Sequence, residues 1–224
     1  MMETCKITLI GYRFSVYTRI VKLVLIEKGL DFTYSEADPF DHSASESLLT
    51  LHPFRRVPIL IHDGCKFYET AAILRYLDLE FPDLPLTPAA HVAVGRMQQV
   101  IGIIDSYGYN ALIRNVFSNA VFLPLEGERG DTDAVQTGLR ESIPVLHALD
   151  EIADEGTILN GISCSLADFY LVPMIEYFRM VQAGAQLMDG HFALMRWWEK
   201  METRRSTAMT RPNMGEVVPS NILP

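Results

Sequence analysis

The stretch "GYRFSVYTRI", residues 11–20, follows the apolar run Ile7-Thr8-Leu9-Ile10 and leads into a helical pattern. A strand that ends on a loop and feeds a helix aims unpaired backbone N–H groups, with the positive end of the helix dipole, at the turn. A redox protein of this shape carries two cysteines three residues apart; this chain has Ser15 and Thr18 there. Ser15 is suited to cap the helix. It is also suited to offer its O–H to a bound anion such as a ligand thiolate. A hydrogen bond to a charged group is worth about 1.5–3 kcal/mol, enough to lower a thiol pKa by about one to two units. On that reading the nucleophile arrives with the ligand and Ser15 steadies it.

Outward from this turn, strand and helix signals alternate. "KITLIG" reads as a strand, residues 16–28 as a helix with Gly29 at its C-terminal cap, and "DFTYSE" as a second strand. A polar helical stretch covers roughly residues 43–51. In "VPILIHDGCKFYE", Asp63-Gly64 between two apolar runs suits a hairpin with a type I′ turn. "ETAAILRYLDLEF" reads as an amphipathic helix with Ala72, Ile73, Tyr76, Leu77 and Leu79 facing a sheet. The order is β-α-β-α-β-β-α. "FPDLPLTPAA", with prolines at 82, 85 and 88, then punctuates the chain. Beyond it the pattern is helical, over residues 89–119, 132–154, 166–183 and 191–204, with "RPNMGEVVPSNILP" as an extended tail. The expected domains are 1–82 and 89–224, joined by a linker at 83–88.

The totals narrow the class. Of 224 residues, 49% are hydrophobic and 21% charged, enough apolar material for a real core. A net charge of −9 argues against nucleic acid or an anionic membrane as partner. The longest apolar runs fall far short of the ~20 residues a membrane span needs. The N-terminus lacks the pattern of a secretory signal. Cys5, Cys65 and Cys164 lie far apart, without metal-ligand spacing, which fits reduced thiols in a cytoplasmic protein and no metal.

Three further places carry candidate chemistry. Pro58 opens an apolar strand, where a missing N–H is tolerated; a cis Val57–Pro58 bond would turn the Val57 backbone toward a peptide-like ligand. Arg56 is either a solvated charge or a partner for a carboxylate. Glu69-Thr70 opens a helix, either as the usual acidic and hydroxyl start or as a pocket. In the second case Glu69 takes an ammonium, and Thr70 with the helix N–H groups takes a carboxylate.

Taken together, "GYRFSVYTRIVKLVLIEKGLDFTY", "HPFRRVPILIHDG", "ETAAILRYLD", "GISCSLADFYLVP" and "RWWEKMETRRS" resemble the glutathione transferase family. The resemblance implies an α/β thioredoxin-like N-terminal domain (βαβαββα) followed by an all-α helical-bundle C-terminal domain. It implies a cytoplasmic homodimer that binds glutathione as thiolate and conjugates it to hydrophobic electrophiles in detoxification. Ser15 falls where the serine-type classes (phi, tau and theta-like) place the hydroxyl that supports the thiolate. Val57 falls where the backbone pairs with the cysteinyl part, Pro58 on the family's cis-proline, and Arg56 near the glycyl end. Glu69 and Thr70 fall on the pair that grips the γ-glutamyl head. Tyr12 and Tyr17 flank Ser15 as competitors, since other classes use tyrosine. Val16, Arg55 and His52 depart from the common proline, glycine and asparagine. The same site also admits isomerase, dehalogenase or peroxidase chemistry, or a non-catalytic binding protein.

Two features of the second half complete the reading. Ser165 to Asp168, "SLAD", is a capping box and not an acid catalyst. In "MQQVIGIIDSYGYNALIRNVF", Tyr107, Tyr109, Ile113 and Phe117 recur at helical spacings. They either pack the core or, with Phe14, wall an apolar pocket for the electrophile. Asp105 is placed to approach a partner subunit.

Overall fold

A computed structural model of the chain describes residues 6–40, 48 and 50–214. The chain divides into two compact units, Met1–Leu86 and Thr87–Pro224. In the first, β1 (Ile7–Gly11), α1 (Val16–Glu27), β2 (Phe32–Glu36), β3 (Ile59–His62), β4 (Cys65–Tyr68) and α2 (Thr70–Glu80) follow in order. The sheet runs β2-β1-β3-β4. β1 is parallel to β2 and antiparallel to β3, and β3 is antiparallel to β4. Leu9, at the centre of β1, pairs with Tyr34 on one side and Leu60 on the other. Ile7 and Leu9 are buried, as are Ile20, Val21, Leu23 and Val24 of α1. At the hairpin Asp63 and Gly64 both take positive φ, 47° and 82°, as the type I′ turn requires. Leu48, Thr50 and Leu51 are helical; the rest of the helix expected over residues 43–51 lies outside the described residues.

The inward face of α2 differs from the expected one. Ile73, Leu74 and Leu77 are buried together with Asp78, while Ala72 is exposed and Leu79 is 63% exposed. The cause is polar. The Asp78 carboxylate receives the Lys28 ammonium at 2.9 Å and the Leu86 N–H at 2.8 Å. Lys28 also donates to the carbonyls of Phe81 and Leu84, at 2.9 and 2.7 Å. This buried pair ties the end of α1 to the chain leaving α2, and it rotates Leu79 outward.

The second unit is helical: α3 (His91–Ile103), α4 (Ile104–Phe122), α5 (Leu123–Leu125), α6 (Thr132–Asp154), α7 (Leu166–Arg179), α8 (Gln182–Asp189), α9 (Phe192–Met201) and α10 (Arg205–Thr210). α3, α4 and α5 run on without a break, α4 with wider π-type turns. α6 and α7 both pack on α4. α7 is buried from Leu166 to Phe178 on every face, as its predominantly apolar sequence demands, with Asp168 and Glu176 as buried charged exceptions. The segment expected as one helix over 166–183 is broken at Val181, which is extended (φ −92°, ψ 122°) and caps α8. Residues 211–214 are irregular, and the remainder of the expected tail lies outside the described residues. Among the described residues no helix is long and apolar enough to cross a membrane.

Candidate functional site

The turn after β1 is built from hydroxyls and one obligatory glycine. A Cβ on Gly11 would lie 2.2 Å from Thr18 Cγ2, so only glycine lets α1 approach the strand end. Thr18 is buried, and its Oγ1 accepts the Tyr12 N–H at 3.3 Å. It therefore serves the turn. Ser15 is half-buried and extended, and its Oγ accepts the Thr18 N–H at 3.2 Å as the N-cap of α1. Because the oxygen is used as an acceptor, the hydroxyl hydrogen is left to donate. The two positions that a redox protein gives to cysteines have separated into a structural threonine and a capping serine with a donor in hand.

Glu36, at the end of β2, holds this turn from the side. Its Oε1 accepts the Arg13 N–H at 3.0 Å and its Oε2 accepts the Tyr34 hydroxyl at 2.6 Å. Burial, and then the bond to Glu36, pushes the Tyr34 phenol up from its ordinary value. The Lys22 ammonium sits 3.3 Å above the Tyr34 ring, and burial lowers its pKa against the opposing pull of Glu36. Phe14 is half-buried, edge-on to the Tyr12 ring at 5.5 Å and under the Arg13 guanidinium at 5.1 Å.

The Val57–Pro58 peptide is cis. Pro58 is buried, Val57 half-buried, and Arg55 (φ 53°) and Arg56 are exposed. Because β3 begins at Ile59, Val57 lies ahead of the ladder and its backbone is not committed to the sheet. Glu69 caps α2 with φ 68° and ψ 113°, a costly conformation for a residue with a side chain, and makes no side-chain cap. Its carboxylate is exposed and Thr70 beside it is buried. The first N–H groups of α2 therefore have no side-chain acceptor from their own cap.

Strand register brings these pieces to one place. Ile10 pairs with Ile59, so the end of β1 lies beside the start of β3; Ile59 pairs with Tyr68, so the end of β4 lies there too. Gly11 pairs with Glu36. The Ser15 turn, Val57–Pro58, Glu69–Thr70 and Glu36 thus share one end of the sheet. Glu36 is a residue sequence reasoning missed: it shows no signal until the register places it beside Gly11.

The residues expected to wall an apolar pocket divide. Tyr107 is 66% exposed and Tyr109 half-buried. Ile113 and Phe117 are buried in the helical core, with the Phe117 ring 4.5 Å from Tyr177. Asp105 accepts the Tyr170 hydroxyl at 2.9 Å within its own unit.

The chain matches the description "Glutathione S-transferase, N-terminal domain" over residues 9–85 and "Glutathione S-transferase, C-terminal domain" over residues 109–205. It is 26% identical to a glutathione S-transferase of Arabidopsis thaliana over 92% of this chain and 95% of that protein. It is 24% identical to a stringent starvation protein A homolog of Histophilus somni over 96% of this chain and 93% of that protein. The crystal structure of a glutathione transferase of Populus trichocarpa superposes with a TM-score of 0.81 at 21% identity, covering 93% of this chain and 99% of that one. The paired N- and C-terminal matches, on a four-stranded mixed sheet followed by a helical unit, mean that the chain belongs to the glutathione S-transferase family.

Proposed function

We propose that the sheet end of the first unit binds glutathione as thiolate, and that the protein conjugates the whole tripeptide, through its sulfur, to hydrophobic electrophiles. The observation that carries this is Ser15: its oxygen is used by the fold as an acceptor, which leaves its proton as a donor at the N-terminus of α1. The donor set fits the tripeptide. Glu69 offers an exposed carboxylate to an ammonium, Thr70 and the opening N–H groups of α2 offer donors to a carboxylate, and Val57 offers backbone outside the ladder. Arg56 supplies a cation for a second carboxylate. Glutathione would bring the thiol that acts as nucleophile. The chain's part is to orient it, to hold negative charge near Ser15, and to lower the thiol pKa by the energy of that hydrogen bond. A hydrophobic acceptor suits Phe14 beside Ser15. We further propose a cytoplasmic homodimer acting in detoxification, with residues 1–82 as the glutathione domain, 83–88 as linker and 89–224 as the helical domain.

A second reading, a binding protein with little turnover, is favoured by the similarity over nearly the whole chain to proteins whose names state no transferase activity. One experiment separates the two. Calorimetric titration with glutathione is followed by turnover of a chloro-nitroaromatic. Binding with conjugation supports the transferase, binding without it points to isomerase, dehalogenase or peroxidase chemistry, and absent binding leaves the scaffold.

A further inference from the structure

His52 has no role in the account above, yet it joins two of the segments that meet at the sheet end. It is 2% exposed. Its backbone closes a helical turn: the His52 N–H donates to the Leu48 carbonyl at 2.7 Å, and the Arg55 N–H returns to the His52 carbonyl at 3.0 Å. The ring then reaches forward, with Nδ1 accepting the Phe54 N–H at 3.1 Å. On its other side the ring lies 4.6 Å from that of Tyr68, tilted by 42°. Tyr68 is the last residue of β4 and immediately precedes Glu69. One imidazole therefore anchors the start of the segment carrying Arg56 and Val57 while resting against the corner that presents Glu69 and Thr70. A ring nitrogen that accepts an N–H carries no proton of its own, so this bond requires the neutral ring with its hydrogen on Nε2.

We propose that His52 is a positioning residue for the glutathione subsite: in its neutral Nε2–H form it sets residues 54–57 against the Tyr68–Glu69 corner, and protonation releases them. This rests on the glutathione-binding reading of the site. The surroundings favour the neutral ring. Burial pushes the His52 pKa below 6.5; Glu69, ahead of α2, pulls it up, while Arg56 on its own loop and Lys66 on β4 push it further down. Lys66 is itself fixed by donating to the Thr50 carbonyl at 3.1 Å, and among the described residues Tyr68 is a further titratable group against the ring. The sign follows. Well above pH 6.5 the ring is neutral in folded and unfolded chains alike. As the pH falls below 6.5 the unfolded chain takes the proton first, so stability drops. As it falls further, through the lower folded pKa, the Phe54 bond breaks and the subsite loosens.

The test compares wild type with His52→Asn and His52→Phe across about pH 5–7.5. Asparagine offers an oxygen to the same N–H but does not titrate; phenylalanine keeps the ring and removes the acceptor. In wild type we expect the KM for glutathione to rise on acidification by about two- to tenfold, the range set by one neutral hydrogen bond, with kcat unmoved by this group. His52→Asn should lose that dependence. His52→Phe should show the raised KM at every pH. Without ligand, the Phe54 amide resonance should follow the His52 titration in a nitrogen-15 NMR spectrum. An identical KM profile in wild type and His52→Asn, or a Phe54 amide indifferent to the His52 titration, overturns the proposal. Should the wild type bind no glutathione at any pH, the functional reading fails, and the Phe54 titration still decides whether His52 sets the loop. Should a variant not fold, the wild-type Phe54 titration decides alone.

Discussion

The Ser15 hydroxyl has one oxygen and one hydrogen to place, and the fold claims only the oxygen, which accepts the Thr18 N–H at 3.2 Å. Substituting Ser15 by alanine therefore removes two things of different kinds. The cap is lost, at a cost of about 0.5–2 kcal/mol of stability. The donor to the bound sulfur is lost as well, which should raise the thiol pKa of bound glutathione by about one to two units, back toward about 8.5. Affinity should barely change, because the grip is assigned to Val57, Glu69 and Thr70. Ultraviolet absorbance of the bound thiolate against pH reads the shift directly. A titration curve that Ser15→Ala leaves in place would remove Ser15 from the chemistry while leaving it as a cap. The serine was legible at this scale because its type, its place before an apolar helix and its spacing from Thr18 are all local. Ile113 and Phe117 show the opposite case. Their helical spacing is the same whether they line a pocket or fill a core, and only packing against α6 and α7 distinguishes the two.

At the scale of elements, the start of α7 carries the sharpest expectation. Asp168 is fully buried at the third position of the helix; its Oδ2 takes the Ser165 N–H and O–H at 2.7 and 2.8 Å, and its Oδ1 takes the Trp197 Nε1–H at 2.8 Å. Burial pushes this carboxyl up, and the bonds from Ser165 and Trp197 pull it down. The sequence reveals the capping box, since that pattern is local, but not Trp197, which comes from α9. Asp168→Ala should consequently cost more than a cap alone: about 0.5–2 kcal/mol for the box plus about 1–3 for a buried indole N–H left without an acceptor. Denaturant unfolding measures the sum. In a double-mutant cycle, adding Trp197→Phe to Asp168→Ala should cost less than the two single effects together. Strictly additive losses would deny the coupling. Long-range partners explain the other departures as well. Leu79 faces outward because Lys28 draws Asp78 in, and α7 ends early because the chain turns at Val181, where Gly184 lies so close to the Phe178 carbonyl that a Cβ would stand 2.4 Å from it. Neither contact has a signature in the window that predicts a helix.

For the whole molecule, the site is a property of register. Ser15, Val57 and Glu69 are separated by more than forty and by twelve residues, and it is the pairing of Ile10 with Ile59 and of Ile59 with Tyr68 that brings their neighbours to one sheet end. A ligand held there stabilises whatever must be folded for that sheet to exist. Binding to the native state alone adds RT ln(1 + [L]/Kd), about 2.7 kcal/mol at a hundredfold excess over Kd. The chain has two compact units, so the size of the melting shift also reports which of them unfold together. If the chain unfolds as one body, glutathione should raise Tm by about 2–4 °C for each kcal/mol; if the smaller unit unfolds alone, its transition should move by about 4–8 °C and the other should stay put. Calorimetric scans with and without glutathione provide the reading. Ser15→Ala should shift nearly as far as wild type, because its hydroxyl acts on charge more than on grip, whereas Glu69→Gln should lose much of the shift with its contact to an ammonium. A glutathione-induced shift confined to the helical unit would place the ligand away from the sheet end and refute the site.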